Sequence, residues 1–90
     1  MKRPAHLLVV PDIGAAGGAI VLSLWLVPEG AAVMEGDRVA ELAWGGATVD
    51  LEAPVTGRLV RQLVDEDARV VAGMTIAEFM PLEAMHGSDR

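Results

Sequence analysis

Hydrophobic and polar residues alternate clearly just beyond the middle of the chain. Between Ala47 and Glu52 every second residue is apolar and the residues between them are polar. A period of two is typical of a β-strand with one buried face. A second segment of mixed character, residues 39–43, lies just before it, and Trp44-Gly45-Gly46 separates the two. Glycine favours tight hairpin turns because they need positive φ, so the pattern predicts a β-hairpin with its tip at Trp44, Gly45 and Gly46.

Short segments of strand-like composition recur on both sides of this hairpin, with turn residues such as Pro28-Glu29-Gly30 between them. The predicted strands are residues 6–10, 20–27, 31–33, 39–43, 47–52, 59–64, 70–71 and 76–80. Further turns are predicted at Gly36-Asp37 and Thr56-Gly57. No window has a sustained helical period. Short strands with frequent turns are typical of an all-β sandwich or barrel.

The chain also repeats itself, with an offset of 66 − 29 = 37 residues between Glu29 and Glu66. Identical residues recur at this offset: Leu22 and Leu59, Leu26 and Leu63, Val27 and Val64, Glu29 and Glu66, Ala31 and Ala68, Val33 and Val70, Gly36 and Gly73, Ala40 and Ala77, Glu41 and Glu78. Two units are too few for a solenoid. The repeat therefore predicts a sandwich with approximate two-fold symmetry, with the hairpin tip at one end and the chain termini at the other.

Length and composition narrow the functional classes. Ninety residues, 52% of them hydrophobic, suit one domain with a modest core. We expect residues 1–81 to form that domain and residues 82–90 a flexible tail. A net charge of −6 argues against nucleic acid and anionic membranes as partners, because both attract clustered basic residues. The absence of cysteine excludes disulfides and thiol chemistry.

The N-terminal residues Met-Lys-Arg have only a faint likeness to a signal peptide, since Pro11-Asp12 interrupts the apolar run that follows. The longest apolar stretch, residues 19–27, is too short to cross a bilayer. We therefore expect a cytoplasmic protein. One lysine is present in the chain, Lys2, and it lies in the N-terminal segment.

Several segments, in this order and spacing, resemble the lipoyl domain of the acyltransferase component of 2-oxo acid dehydrogenase complexes, and the related biotinyl domain. They are Val10-Pro-Asp-Ile-Gly14, Trp25-Leu-Val-Pro-Glu-Gly30, Gly36-Asp-Arg-Val-Ala-Glu41, Ala47-Thr-Val-Asp-Leu-Glu-Ala-Pro54 and Gly57. The similarity covers residues 9–81. It implies a flattened barrel of two four-stranded sheets.

In that family the hairpin tip reads Asp-Lys-Ala, and the lysine carries lipoate in amide linkage. Here Ala47 matches the alanine, whereas Gly46 stands at the lysine position and Gly45 at the aspartate position. Glycine has no amine to acylate, and Lys2 would lie far from the tip in this fold. The resemblance therefore implies a domain that carries neither lipoate nor biotin.

The loop after Pro11-Asp-Ile-Gly14 differs as well. Family members often have acidic residues there, near the lipoyl-lysine, where partner enzymes make contact. In this chain the loop reads Ala15-Ala16-Gly17-Gly18. We expect Ala15 and Ala16 to lie beside the hairpin tip and to form an interaction surface with it.

Other motifs carry less weight. Leu82-Glu-Ala-Met-His86 is similar to the biotin motif but follows both halves rather than lying between them. The glycines at 14–18 precede a predicted strand, whereas a phosphate cradle needs a helix there. Asp65-Glu66-Asp67 is expected to be a solvated turn, and the separation of His6 from His86 argues against a metal site.

The tryptophans differ in expected role. Trp25 lies within a predicted strand and is expected in or near the core. Trp44 has two interpretations, and the residues leave both open: an exposed anchor for a partner, or a ring that folds back over the loop at 15–18 and hides apolar area. No arrangement of titratable residues predicts an active site, so we do not expect an enzyme.

The leading hypothesis is a non-catalytic lipoyl-type domain that serves as a protein-interaction or scaffolding module, docking to a 2-oxo acid dehydrogenase-type complex or a lipoyl-handling enzyme. The alternative is a genuine lipoyl or biotinyl carrier, for acyl or carboxyl transfer, that is modified by another route. A third interpretation is a structural adaptor like the lipoyl-like domains of membrane-fusion proteins. A helical hairpin typically separates their two halves, whereas here the halves join directly at Trp44–Gly46.

Overall fold

The computed structural model describes residues 5–14 and 18–82. Its strands are β1 (His6–Val9), β2 (Ile20–Trp25), β3 (Ala32–Val33), β4 (Arg38–Trp44), β5 (Ala47–Glu52), β6 (Gly57–Gln62), β7 (Arg69–Val70) and β8 (Thr75–Pro81). All eight predicted strands are present. Their ends differ from the predicted ends by one or two residues in most cases, and β5 has the predicted bounds.

The strands form two antiparallel four-stranded sheets. The strand order is β1-β8-β6-β3 in one sheet and β5-β4-β2-β7 in the other. This arrangement confirms the all-β, flattened sandwich or barrel of two four-stranded sheets. The two halves of the chain, β1–β4 and β5–β8, are joined by the two residues between β4 and β5, so no helical hairpin separates them.

The internal repeat is a structural repeat. β2 and β6, β3 and β7, and β4 and β8 have the same lengths and begin 37 residues apart, as in 57 − 20 = 37 for the first pair. Replacing each strand by its counterpart, with β1 exchanged for β5, turns the order of one sheet into that of the other. The predicted two-fold pseudo-symmetry is therefore confirmed. It superimposes each four-stranded sheet on the other.

The core lies between the two sheets and is built by inward residues of nearly every strand. Its largest fully buried side chains are Phe79, Leu22, Leu42, Leu59, Ile76, Val10 and Val39. No polar or charged side chain is buried among the residues that the structure describes. Hydrophobic burial, at about 25 cal/mol per Å² of apolar surface, is thus the main stabilising term of this fold.

Gly57 corrects one detail of the sequence analysis, which placed it in a turn. It is the first residue of β6 and pairs with Pro81 of β8. A Cβ atom at this position would collide with the backbone carbonyl oxygen of Met80. Glycine is needed at position 57 because two strands approach closely, and not because the chain turns there.

The connections between strands show which parts of the chain share an end of the barrel. His6 pairs with Phe79, so β1 begins where β8 ends. The other end of β1 is fixed by hydrogen bonds from Val10 N to Met74 O and from Gly73 N to Val10 O. A short link, residues 71–74, joins this point to Val70, which pairs with Ile20 at the start of β2. The start of β2 in turn lies beside the end of β4, so the hairpin tip is at the opposite end from His6 and Pro81.

Candidate functional site

The candidate site is the end of the barrel that carries the β4–β5 hairpin. The ladder of this hairpin runs without interruption from Ala40 and Leu51 to Trp44 and Ala47, the last pair before the turn. Gly45 and Gly46 are the two turn residues, with φ of 55° and 83°. Positive φ at both central residues is the signature of a type I′ turn, whose twist matches that of the two strands. The predicted tip and its need for glycine are confirmed.

Gly46 is exposed, and apart from Gly46 and its two chain neighbours no atom of the described residues lies within 4 Å of the place where a Cβ would stand. A side chain at this position would therefore meet none of the other described residues. The restriction is conformational, because at φ 83° an L-residue has an unfavourable backbone geometry. The tip is thus exposed to solvent, and its turn geometry favours glycine.

Trp44 is half-buried and packs against the hydrophobic core. It follows the alternation of β4, in which Ala40 and Leu42 are buried. Val21 pairs with Ala43, so the next position along the ladder brings Trp44 beside Ile20 of β2. Half-burial against the core argues against a fully exposed anchor, whereas the predicted contact of the ring with the loop at 15–18 involves residues outside the described structure and stays a prediction. Trp44 closes the tip end of the core.

The loop between β1 and β2 begins and ends at the same end of the barrel. Ala15, Ala16 and Gly17 lie outside the described residues, so their predicted role as part of an interaction surface stays a prediction. The flanking residues Asp12–Gly14 and Gly18–Ala19 line a cleft of about 440 Å³ together with Val70 and the exposed Val71. The hairpin tip thus lies at the same end of the barrel as an open, largely apolar cleft.

The described residues offer little for chemistry at this end. They contain no group of three or more His, Asp or Glu side chains placed to hold a metal ion. Gly18 precedes β2 and not a helix, as the sequence analysis expected, so the described residues lack the helix that a phosphate cradle needs. No lysine occurs within residues 5–14 or 18–82, since the chain's one lysine is Lys2. The tip residues Trp44, Gly45 and Gly46 therefore present no side-chain amine.

The structure also tests the expectations for Trp25 and for the acidic turn Asp65-Glu66-Asp67. Trp25 is half-buried against the core, as expected. Asp65, Glu66 and Asp67 are exposed, as expected for a solvated turn, but Glu66 has a structural role that the sequence analysis missed. Its Oε2 accepts a hydrogen bond from the backbone N–H of Trp25 at 2.9 Å. The available signal was the recurrence of glutamate at positions 29 and 66.

Comparison with known families agrees with this architecture. In the part of the chain that the structure describes, no helix is long and apolar enough to cross a membrane. A search of curated proteins found no match. The model of the biotin/lipoyl family, described as "Biotin-requiring enzyme", matches residues 6–79 and thus extends from β1 into β8. The chain therefore belongs to the biotin/lipoyl domain family.

Proposed function

We propose that this chain is a lipoyl-type domain that carries no lipoyl or biotinyl arm and acts as a protein-interaction or scaffolding module. Its partner would be a 2-oxo acid dehydrogenase-type complex or a lipoyl-handling enzyme in the cytoplasm. Gly46 would stand where the family has its modified lysine. The domain itself would catalyse no reaction.

The observation that carries this proposal is the pairing of an intact family framework with an amine-free tip. Gly45 and Gly46 form a well-defined two-residue turn at the exposed end of an unbroken hairpin. Amide formation with a carboxylate cofactor needs a nucleophilic nitrogen, and a glycine side chain supplies none. Domains of this family usually interact with partner enzymes, which supports a protein partner even where the arm is missing.

The surface proposed for docking is the tip itself, Trp44, Gly45 and Gly46, together with the loop that contains Ala15 and Ala16. The exposed Val71 and the cleft beside it add apolar area at the same end. A few residues near the centre of an interface carry most of the binding energy, and tryptophan is enriched among them, which favours Trp44 over the surrounding residues.

Affinity capture tests this proposal with the immobilised 90-residue chain and a native lysate. We expect enrichment of acyltransferase, dehydrogenase or lipoyl-pathway proteins. Val71→Asp and Gly46→Asp should reduce capture, since each places a charge at the tip end. Glu35→Gln changes a charge at the opposite end and should leave capture intact. Recovery of no such proteins, or equal loss with all three variants, would contradict the proposal.

The second candidate is the alternative from the sequence analysis, a genuine carrier for acyl or carboxyl transfer. Carriers of this family present a covalently attached cofactor at the hairpin tip, so this candidate requires attachment at another group or by another route. Intact-mass measurement of the chain after co-expression with a lipoate ligase or a biotin ligase separates the two candidates. A ligase-dependent increase in mass supports the carrier, and an unchanged mass supports the arm-free module.

A further inference from the structure

A second cleft lies away from the hairpin tip, between the connection that follows β2 and the connection that follows β6. We name it the axial cleft, because its two walls are equivalent segments from the two halves of the pseudo-symmetric barrel. It has a volume of about 630 Å³ and is lined by Trp25, Leu26, Val27, Pro28, Glu29, Gln62, Val64, Asp65 and Glu66. Four pairs of these residues are equivalent in the internal repeat: Trp25 and Gln62, Val27 and Val64, Pro28 and Asp65, and Glu29 and Glu66.

Reciprocal hydrogen bonds hold the two walls of the axial cleft together. Glu66 Oε2 accepts from Trp25 N at 2.9 Å, and Glu29 Oε2 accepts from Gln62 N at 2.7 Å. The side chains reciprocate, since Trp25 Nε1 donates to Val64 O at 3.1 Å and Gln62 Nε2 donates to Val27 O at 3.0 Å. Four bonds across the two connections make this cleft preformed, which lowers the entropic cost of binding.

The floor of the axial cleft is apolar. Trp25, Val27 and Val64 are half-buried there and pack against the core. Leu26 also lines the cleft and is 43% exposed. The floor therefore keeps apolar area at Leu26 that the described residues leave accessible.

The rim of the axial cleft is acidic. Glu29, Asp65 and Glu66 are exposed, and none of the lining residues is basic. Each glutamate uses Oε2 for a backbone N–H, and its Oε1 has no hydrogen-bond partner among the described residues. The carboxylates therefore retain both negative charge and acceptor capacity toward a ligand.

We propose that the axial cleft docks a protein segment that carries Lys or Arg next to an aliphatic residue. The aliphatic side chain would cover Leu26 and the floor, and the basic group would pair with Glu29 or Glu66. A second copy of this chain fits less well, because its own acidic rim and net charge of −6 would repel the first. This surface is independent of the function proposed for the tip.

The two tryptophans allow a direct test by ¹H–¹⁵N NMR of the whole chain. The Trp25 indole N–H lies at the axial cleft, and the Trp44 indole lies at the tip end as an internal control. The probe is the peptide acetyl-Lys-Leu-Lys-Val-Arg-amide, with acetyl-Glu-Leu-Glu-Val-Glu-amide as its charge-reversed control. We expect the basic peptide to shift the resonances of Trp25, Leu26 and Gln62, with saturation, and the acidic peptide to leave them unchanged.

Matched variants test whether the basic peptide binds at the acidic rim of the axial cleft. Glu29→Gln combined with Glu66→Gln keeps the acceptor oxygens but removes two rim charges, and we expect about fivefold weaker binding of the basic peptide. Glu35→Gln combined with Glu52→Gln removes the same charge elsewhere and should have less than a twofold effect. Leu26→Ser should also weaken binding.

Four results would overturn this proposal: no saturable shift with the basic peptide, equal binding of both peptides, equal effects of the two charge pairs, or shifts confined to the tip. A concentration-dependent change at Trp25 without peptide would assign the cleft to a second copy. A saturable shift at Trp25 with Ca²⁺ alone would assign it to a cation. Either outcome would also overturn it.

Discussion

Trp25 and Gln62 are equivalent residues of the two halves, and each donates its side-chain N–H to a backbone carbonyl of the other half. Trp25 Nε1 reaches Val64 O at 3.1 Å, and Gln62 Nε2 reaches Val27 O at 3.0 Å. An indole and an amide have different shapes but share a donor at a similar reach. The repeat has thus kept the hydrogen bond while changing the residue, so the pseudo-symmetry is one of interactions as well as of strands.

The glutamates that complete this arrangement should contribute to stability. Glu29→Ala and Glu66→Ala each leave a backbone N–H without its carboxylate acceptor, and we expect a loss of about 1 kcal/mol in the free energy of unfolding from each. The corresponding Gln variants retain an acceptor oxygen and should lose less. Urea unfolding followed by tryptophan fluorescence measures both. The control is Glu52→Ala, an exposed glutamate of β5, and equal losses for all three alanine variants would contradict this role.

Gly57 should tolerate no side chain, whereas Gly73 should tolerate one at moderate cost. A Cβ at position 57 would collide with Met80 O, and relief of that clash requires movement of β6 or β8. We expect Gly57→Ala to cost about 3 kcal/mol or to prevent folding. Gly73 has φ of 90° but open space around it, so Gly73→Ala should cost about 1 kcal/mol. Thermal unfolding monitored by circular dichroism compares them, and equal losses would contradict the close approach of β6 and β8.

Gly30 and Asp67 occupy equivalent turns with φ of 90° and 72°, and Asp67 is the one non-glycine residue with positive φ among residues 5–14 and 18–82. Aspartate tolerates the left-handed region better than alanine does. Gly30→Ala should therefore cost about 1 kcal/mol, Gly30→Asp should cost less, and Asp67→Gly should be close to neutral. Equilibrium unfolding in urea measures the relative stabilities of these three variants. A Gly30→Asp variant less stable than Gly30→Ala would show that the two turns are not equivalent.

The sequence predicted the strands and the symmetry because both depend on local alternation and on the repeat. The glycine requirement at 45 and 46 followed from turn chemistry. The close approach at Gly57 and the hydrogen bonds of Glu29 and Glu66 join residues far apart in the sequence, so local patterns do not predict these contacts, although the recurrence of glutamate marked the two positions. Glu66, taken as a solvated turn residue, owes its role to a backbone N–H 41 positions away. Residues 15–17 lie outside the described structure, so their part in the site stays a prediction.

An introduced lysine tests whether the tip corresponds to the attachment position of the family. We expect Gly46→Lys, alone or with Gly45→Asp, to become a substrate of a lipoate or biotin ligase, because the position is exposed and unobstructed. Positive φ at residue 46 should cost Gly46→Lys about 1–2 kcal/mol of stability, unless the turn changes its type. Aspartate suits the first position of a type I′ turn.

Thr48→Lys is the matched control for this experiment, because it places a lysine on β5 close to the tip but outside the turn. It should not be modified. Intact-mass measurement after co-expression with each ligase reads out all variants. A folded Gly45→Asp/Gly46→Lys variant that stays unmodified, or a Thr48→Lys variant that is modified equally well, would show that Gly46 does not stand at the attachment position.

Intact-mass measurement of the unaltered chain, co-expressed with a lipoate ligase and separately with a biotin ligase, tests the proposed loss of the arm most directly. An established substrate domain of each ligase, co-expressed in parallel, shows that the ligase is active. The proposal predicts the mass of the bare polypeptide in both cases. A ligase-dependent adduct on any residue of the unaltered chain would contradict it and identify the protein as a carrier.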